Sequence, residues 1–337
     1  MTMRVSTASV INSYKRQLST STSKLDEARN RVLTQRKFSK GSEDPISALK
    51  SMKLRTEYQK NEDYMENIKN QQSNVDSAEA AMMQIVSNAK TVSKEDVLSA
   101  VTGTSGPEDR KLIASTLRKM QTSMLASANA TYDGKYLFNG SHGGNIPFDA
   151  DGGTVTFNGV NVSAADGSTE LDQLKDMADE KTYIDLGLGV TVNDTTRKVD
   201  DASAFQSSWS GADLFGYGVD ENGTSKNMFQ LIGEMADVLE ADDFDSDKLW
   251  ELADSFQTST NSLIGKVGQL GVQSNYLENT LTRYETKQTT LNTQISNVED
   301  VDFSEAYTDF TWTTYAYQAA LKVGNSILSN SFIDFMS

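Results

Sequence analysis

The sequence predicts a mainly α fold with a β-rich insert, arranged as a long antiparallel, coiled-coil-like helical rod formed by both chain ends. Three observations predict it. First, apolar or small residues recur at alternating steps of four and three from Phe256 to Val298. Second, the same repeat runs from Leu54 to Ala89. Third, glycines and aspartates punctuate short β-like runs between Asn139 and Ser225, so the insert lies between the two repeats. A pattern that closes every seven residues marks a helix packed along a seam. At 1.5 Å per residue, Phe256–Val298 would run about 65 Å, too long for a small globular domain.

Taken in order, the chain starts with a sparse stripe through Val10, Tyr14, Leu18, Leu25, Ala28 and Val32. It is diluted by hydroxyl residues, which are mediocre helix formers, so this helix is weak alone. The pattern lapses from Lys37 to Glu43, and Asp44-Pro45 restarts it, with Asp as N-cap and Pro at the first helical position. The next seam is Leu54, Tyr58, Asn61, Met65, Ile68, Gln72, Val75, Glu79, Met82, Val86 and Ala89. Glu79 suits a seam poorly; either Ala78 takes its place or the seam drifts there. Thr102–Gly106 reads as a turn. Pro107-Glu108-Asp109 then opens a helix with Ile113, Leu117, Met120, Met124 and Ala128 inward, ending near Tyr132-Asp133-Gly134.

In the insert, 153–159 alternates and Asn158-Gly159 is a hairpin signal, with Val160–Val162 as the return strand. Thr182–Leu186 and Leu188–Val192 read as two more strands, and Glu170–Glu180 as a helix. Helical pattern returns from Met228 to Leu239, Asp243–Asp247 is an acidic turn, and Leu249-Trp250 opens the long rod helix. After a break at Asn297–Val301, Asp302 and Glu305 suggest a capping box. A last stripe follows at Phe303, Tyr307, Phe310, Thr314, Tyr317, Leu321, Gly324, Leu328, Ser331 and Phe335. The expected domains are a terminal assembly domain (1–41 with 300–337), a rod domain (42–138 with 226–299) and the β-rich insert (139–225).

The 337 residues carry a formal charge of −16. That disfavours nucleic acid and anionic membrane, both polyanions, as partners. There is no cysteine, and His142 is the single histidine. Disulfides and thiolate metal sites are therefore excluded. No run of about 18 apolar residues is present to span a membrane. The first residues lack an apolar core, so a cleaved signal peptide is not expected.

No phosphate loop, nucleophile elbow, zinc-protease or dinucleotide motif is present. His142 sits in a flexible glycine-rich turn with no carboxylate or nucleophile at readable spacing. Asp243-x-Asp245-x-Asp247 starts like a calcium loop, but Lys248 and Asp254 occupy the positions that need Gly and Glu. An acidic helix N-terminus explains it better. Asp149-x-Asp151-Gly-Gly reads as a turn. No cofactor, metal or catalytic residue is expected. The aromatic run Phe303, Tyr307, Phe310, Trp312, Tyr315 and Tyr317 reads as interface, because the chain ends without covering it. The expected assembly interface is Val10, Tyr14, Leu18, Leu25, Val32, Phe303, Tyr307, Phe310, Tyr317, Leu321, Leu328, Phe332 and Phe335.

Long heptad helices at both ends with a β insert resemble the bacterial flagellin family. Met3-Arg-Val-Ser-Thr7 is similar to its N-terminal opening, and Ser42-Glu-Asp-Pro45 to its Ser-Asp-Asp-Pro loop. Val267-Gly-Gln-Leu-Gly-Val-Gln-Ser-Asn-Tyr-Leu-Glu278, Glu299-Asp-Val-Asp302 and Gln318-Ala-Ala320 resemble its C-terminal pattern. Tyr136-Leu-Phe-Asn-Gly140 with Pro147-Phe148, and the ending Ser331-Phe-Ile-Asp-Phe335, resemble the hook-associated branch of that family. The insert beyond Phe148 carries no family motif.

The resemblance implies a structural protein of the bacterial flagellum, extracellular and exported without a cleaved signal peptide. It implies a junction adaptor between hook and filament, assembled as a ring of its own subunits. The implied partners are the neighbouring hook-associated junction protein, flagellin or a cap on the distal side, and an export chaperone on the C-terminal helix. A filament flagellin and a secreted binding protein acting through its insert are the alternatives. Both ends, to about Gln35 and from about Phe303, are expected to order only on assembly, because thin seams offset little of the roughly 1–2 kcal/mol per residue of ordering entropy.

Overall fold

The structure, a computed structural model, describes residues 7–92, 106–142, 144–187, 189–194, 199–200 and 203–336, with the helical backbone alone at 7–8 and 327–336. The helices are α1 (Thr7–Thr34), α2 (Pro45–Thr91), α3 (Pro107–Ala128), α4 (Thr169–Asp179), α5 (Gly211–Phe215), α6 (Met228–Glu240), α7 (Ser246–Glu299) and α8 (Phe303–Met336). The short strands are β1 (Thr131–Tyr132), β2 (Lys135–Tyr136), β3 (Phe148–Asp151), β4 (Thr154–Phe157), β5 (Val160–Asn161), β6 (Tyr183–Ile184) and β7 (Phe205–Gln206). The fold is thus mainly helical with a small β-containing insert. The chain divides into two compact units, 1–63 with 284–337, and 64–283.

In the first unit, α1 and α8 pack as an antiparallel pair. Gly324 is buried on α8, and a Cβ there would run into the phenol of Tyr14 on α1, so the helices meet where one has no side chain. Near its end, α1 carries Ala28 inward. Hydroxyl residues on both helices bond back to their own turn: Thr20 to Arg16 O (3.0 Å), Thr22 to Leu18 O (2.9 Å), Thr308 to Ser304 O (2.8 Å) and Thr311 to Tyr307 O (2.8 Å). The loop after α1 ends where predicted. Asp44 Oδ1 accepts from Ser47 N–H at 3.1 Å, and Pro45 opens α2. Within this unit α2 and α7 run antiparallel: Asn61 Nδ2 donates to Tyr284 O at 3.0 Å, and Lys287 pairs with Glu57 at 3.4 Å. Asn61 is a buried amide between the apolar Leu54 and Met65 of the seam, a device that fixes register between helices. Asp302 caps α8, accepting from Ser304 N–H at 2.8 Å and Glu305 N–H at 3.3 Å.

In the second unit the seam of α2 is Met65, Ile68, Val75, Ala78, Met82, Ile85 and Ala89, all buried. Ala78, not Glu79, fills the inward position. Facing them from α7 are the buried Phe256, Leu263, Leu270 and Leu277. Gln72 Nε2 donates to Ser274 Oγ at 2.5 Å, so the antiparallel register continues here. Leu281 is only half-buried. Helix α6 is buried nearly all round and packs on α3, with Gln121 Nε2 donating to Phe229 O at 2.8 Å.

The insert has its own aromatic core. Phe148 lies 4.9 Å from Phe157, 5.6 Å from Phe215 and 5.2 Å from Phe229, and Phe138 lies 5.5 Å from Phe215. Asn129, just past α3, clamps Phe148 with two bonds, from its Nδ2 to Phe148 O (2.8 Å) and from Phe148 N–H to its Oδ1 (3.0 Å). Strands β3, β4 and β5 form an antiparallel meander. The β4–β5 turn is Asn158-Gly159, with φ of 50° and 81°, the left-handed pair a two-residue hairpin requires.

Several expectations need correcting. Tyr132-Asp133-Gly134 does not end α3, which stops at Ala128; it turns the β1–β2 hairpin instead. Inward positions on α3 include Ala114, Gln121 and Leu125, whereas Ile113 and Met120 are half-buried. Leu188–Val192 forms no strand over its described residues; Val192 makes only an isolated bridge to Val199. Leu188 lies outside the described residues, as do 102–105 of the predicted turn and 3–6 of the N-terminal motif. His142 does meet a carboxylate, 3.3 Å away at Glu180, 38 residues on in the chain and so invisible at short spacing.

Candidate assembly surface

The first unit presents two kinds of surface on α8. Its inward face carries Ala306 and Gly324, both buried, with Phe310 and Tyr317 half-buried between them. Its remaining sides carry Phe303, Tyr307, Trp312, Tyr315, Leu321 and Val323, all exposed; Trp312 is 70 % exposed and Tyr315 63 %. So many exposed large apolar side chains on one helix make it the candidate interaction surface of this unit.

The predicted interface residues therefore divide. Phe310 and Tyr317, with Tyr14, Leu18, Leu25 and Val32 on α1, are half-buried, and α1 packs on α8. Val10, Phe303, Tyr307 and Leu321 face outward. The side chains of Leu328, Phe332 and Phe335 lie outside the described residues. Trp312 and Tyr315, which the aromatic run placed at the interface but the seam did not include, are exposed as well. Three further large apolar side chains outside that list, Ile46, Leu49 and Met52 at the start of α2, are 82 %, 61 % and 66 % exposed. Their spacing of three was the available signal: they fall on one side of the helix, away from the Leu54 seam.

A charged joint positions these helices. At the crossing between α1 and α8, Val301 N–H donates to Gln35 O at 3.0 Å and Lys37 N–H to Glu299 O at 2.7 Å. Gln35 takes a left-handed φ of 56° to turn the chain there. Glu299 is 5 % exposed. Arg55 grips it with two bonds, Nε to Oε1 and Nη2 to Oε2, both 2.6 Å, and Ser51 Oγ also donates to Oε1. Arg36 stands 3.8 Å away. The Arg55 hydrogen bonds, with help from Ser51 and the nearby Arg36 charge, hold the Glu299 carboxyl down at about 2 against burial that opposes them. This is a buried carboxylate with its lone pairs met, the condition under which a buried ion pair is tolerated.

Elsewhere the chemistry is sparse. Ser141 Oγ donates to Glu180 Oε2 at 2.6 Å, the same oxygen that faces His142. Serine and histidine thus both address the carboxylate rather than each other, so this trio does not activate a nucleophile. Asp245 Oδ1 accepts from Asp247 and Lys248 N–H, both at 3.0 Å, and so works as the cap of α7. Among the described residues, no three His, Asp or Glu side chains group as a metal site, and no helix is long and apolar enough to cross a membrane.

Solved structures share this fold at low identity. A protein described as flagellar hook-associated, from Vibrio parahaemolyticus, aligns over 77 % of this chain and 100 % of its own, at 17 % identity and a TM-score of 0.59. FlgL from Bacillus cereus aligns over 72 % and 99 %, at 14 % and 0.51. Hook-associated protein-3 from Legionella pneumophila aligns over 73 % and 98 %, at 12 % and 0.50. No curated protein sequence matches. The bacterial flagellin N-terminal helical region matches residues 5–142, and the bacterial flagellin C-terminal helical region matches 254–330. The two matches cover well over half the chain and take in α1, α2 and α3 on one side of the insert and nearly all of α7 and α8 on the other, so this chain belongs to the bacterial flagellin family.

Proposed function

We propose that this chain is a junction adaptor of the bacterial flagellum, between hook and filament, and not an enzyme. The observation that carries the assembly role is the aromatic outward face of α8, left uncovered while its other face packs on α1. Two points favour the junction over the filament. The similar solved proteins that are aligned over essentially their whole length are named as hook-associated or FlgL. The Tyr136–Gly140 and Pro147-Phe148 motif is also built into the fold, since Phe138 and Phe148 lie at the centre of the insert core.

In this reading the terminal segments 1–41 and 300–337 form the assembly domain, 42–138 with 226–299 the supporting helices, and 139–225 the outer insert. Copies form a ring through Val10, Phe303, Tyr307, Leu321 and the end of α8, including Leu328, Phe332 and Phe335, with Tyr14, Leu18, Leu25, Val32, Phe310 and Tyr317 setting the α1–α8 pair beneath. The neighbours are another hook-associated protein on one side and flagellin or a cap on the other. Export proceeds without a cleaved signal peptide, with a chaperone on the C-terminal helix beforehand, and the mature location is extracellular. The ends order on assembly, so limited proteolysis of the monomer trims it to about Ser42–Val298, and that fragment does not add to hooks.

Electron microscopy of a deletion strain tests the role. Bare hooks with flagellin released into the medium support the junction. Loss of filaments with no released flagellin would mean that this chain is itself the filament subunit.

A further inference from the structure

Within the second unit, a cleft of about 510 Å³ opens between α2 and the start of the insert. That size suits a small ligand, whose sites span roughly 300–1,000 Å³. Four amides of α2 line one side: Asn67, Asn70, Gln71 and Asn74. Their spacing puts them on one helical face. Tyr132 and Tyr136 of the β1–β2 hairpin line it as well.

One feature of the cleft is unexplained by folding. Gln71 is 6 % exposed, yet its Nε2 has no hydrogen-bond partner among the described residues. Native proteins rarely leave a buried amide donor unmet, and such a group at the wall of a cleft can be met by a water or by a ligand toward which the side chain turns. Asn74, by contrast, has one donor engaged, with Nδ2 to Ser207 O at 3.3 Å. Asn67 and Asn70 face solvent.

The chemistry selects the ligand class. Each side-chain amide offers two donors and an acceptor oxygen, the capacity that matches vicinal hydroxyls, which donate and accept in turn. The tyrosine rings add flat apolar faces with a polar tip. Charge is balanced at the wall, where Asp133 and Lys135 both line the cleft, and His142 is occupied with Glu180. A formal charge of −16 on the chain disfavours an anion. A peptide is the weaker fit, since peptide grooves rest on a free strand edge or on apolar side-chain pockets rather than a row of amides.

We infer that this cleft binds a neutral saccharide, held by the α2 amides and stacked against Tyr132 or Tyr136. The site is independent of the junction reading and would stand or fall on its own. Saturation-transfer difference NMR on the full chain tests it, with cellotriose, maltotriose and N,N′,N″-triacetylchitotriose at millimolar concentration as neutral probes and 3′-sialyllactose as the acidic one. The expected result is transfer to at least one neutral trisaccharide, weakened about fivefold by Asn70→Ala, roughly the loss of one hydrogen bond, and again by Tyr136→Ala. Asn70 is exposed, so that variant keeps the fold, as far-UV circular dichroism will verify. No transfer to any neutral probe overturns the proposal. So does transfer that Asn70→Ala and Tyr136→Ala both leave intact, or transfer to sialyllactose as strong as to the neutral sugars.

Discussion

Replacing Glu299 with Gln should loosen the joint between the terminal helices. The carboxylate accepts two bonds from Arg55 and one from Ser51 at a nearly buried position. An amide there turns its NH₂ toward one of these donors and removes the charge that Arg55 neutralises. The carboxyl is lowered from 4.5 to about 2, which corresponds to about 3 kcal/mol in favour of the folded joint. The Arg55 side chain is 51 % exposed, and solvent screening reduces this to about 2 kcal/mol. The sign follows from the lowered value: the contribution is complete above about pH 4.5 and is lost as pH falls toward 2. Hydrogen exchange at the amides of Lys37 and Val301 reads the joint directly, because these donate to Glu299 O and Gln35 O. At neutral pH, Glu299→Gln should speed their exchange by about 30-fold, the equivalent of about 2 kcal/mol. Exchange unchanged within about twofold would show that the joint is held by its backbone bonds alone, and the reasoning about the carboxylate would be refuted.

Three further outcomes are expected. Leu277→Ala should cost about 3 kcal/mol in urea unfolding and Leu281→Ala clearly less, since only the first is fully buried; equal costs would contradict the observed seam. Gly324→Leu should open the α1–α8 pair, seen as loss of assembly on purified hook ends, and Tyr14→Ala should partly restore assembly by clearing the space that the new side chain needs. Trp312→Ala should change monomer stability by under about 0.5 kcal/mol yet stop assembly on purified hook ends; a large stability loss would mean that α8 buries this ring within the monomer.

The helices were legible because one pattern, a step of four and three, governs both their formation and their packing. Ala78 for Glu79 shows how far that goes, since the weak seam position and its substitute were both visible. Turn chemistry was equally readable at Asn158-Gly159 and Asp44-Pro45, where the residue types dictate the backbone. What escaped were pairings between distant residues. Glu299 reads as one acid in a loop; only folding brings Arg55 and Ser51 to it, 244 and 248 residues away in the chain. His142 and Glu180 meet for the same reason. The outward faces were half read, because the seam identifies the side that packs on its own chain. Trp312, Tyr315, Ile46 and Leu49 lie off it, on the sides a single chain leaves open.

The hydroxyl residues of α1 and α8 first read as a weakness of those helices. Thr20, Thr22, Thr308, Thr311 and Thr314 each spend their donor on a carbonyl of their own preceding turn. Such a side chain shows the outside world mainly a methyl group. A neighbouring molecule that lies on it meets no free hydroxyl donor, only an acceptor oxygen beside a methyl group. On the proposed assembly reading, the grip of such a surface comes from its exposed aromatic rings. If the chain is the adaptor proposed above, a coating with few free donors lets adjacent helices settle at slightly different offsets without leaving a donor stranded.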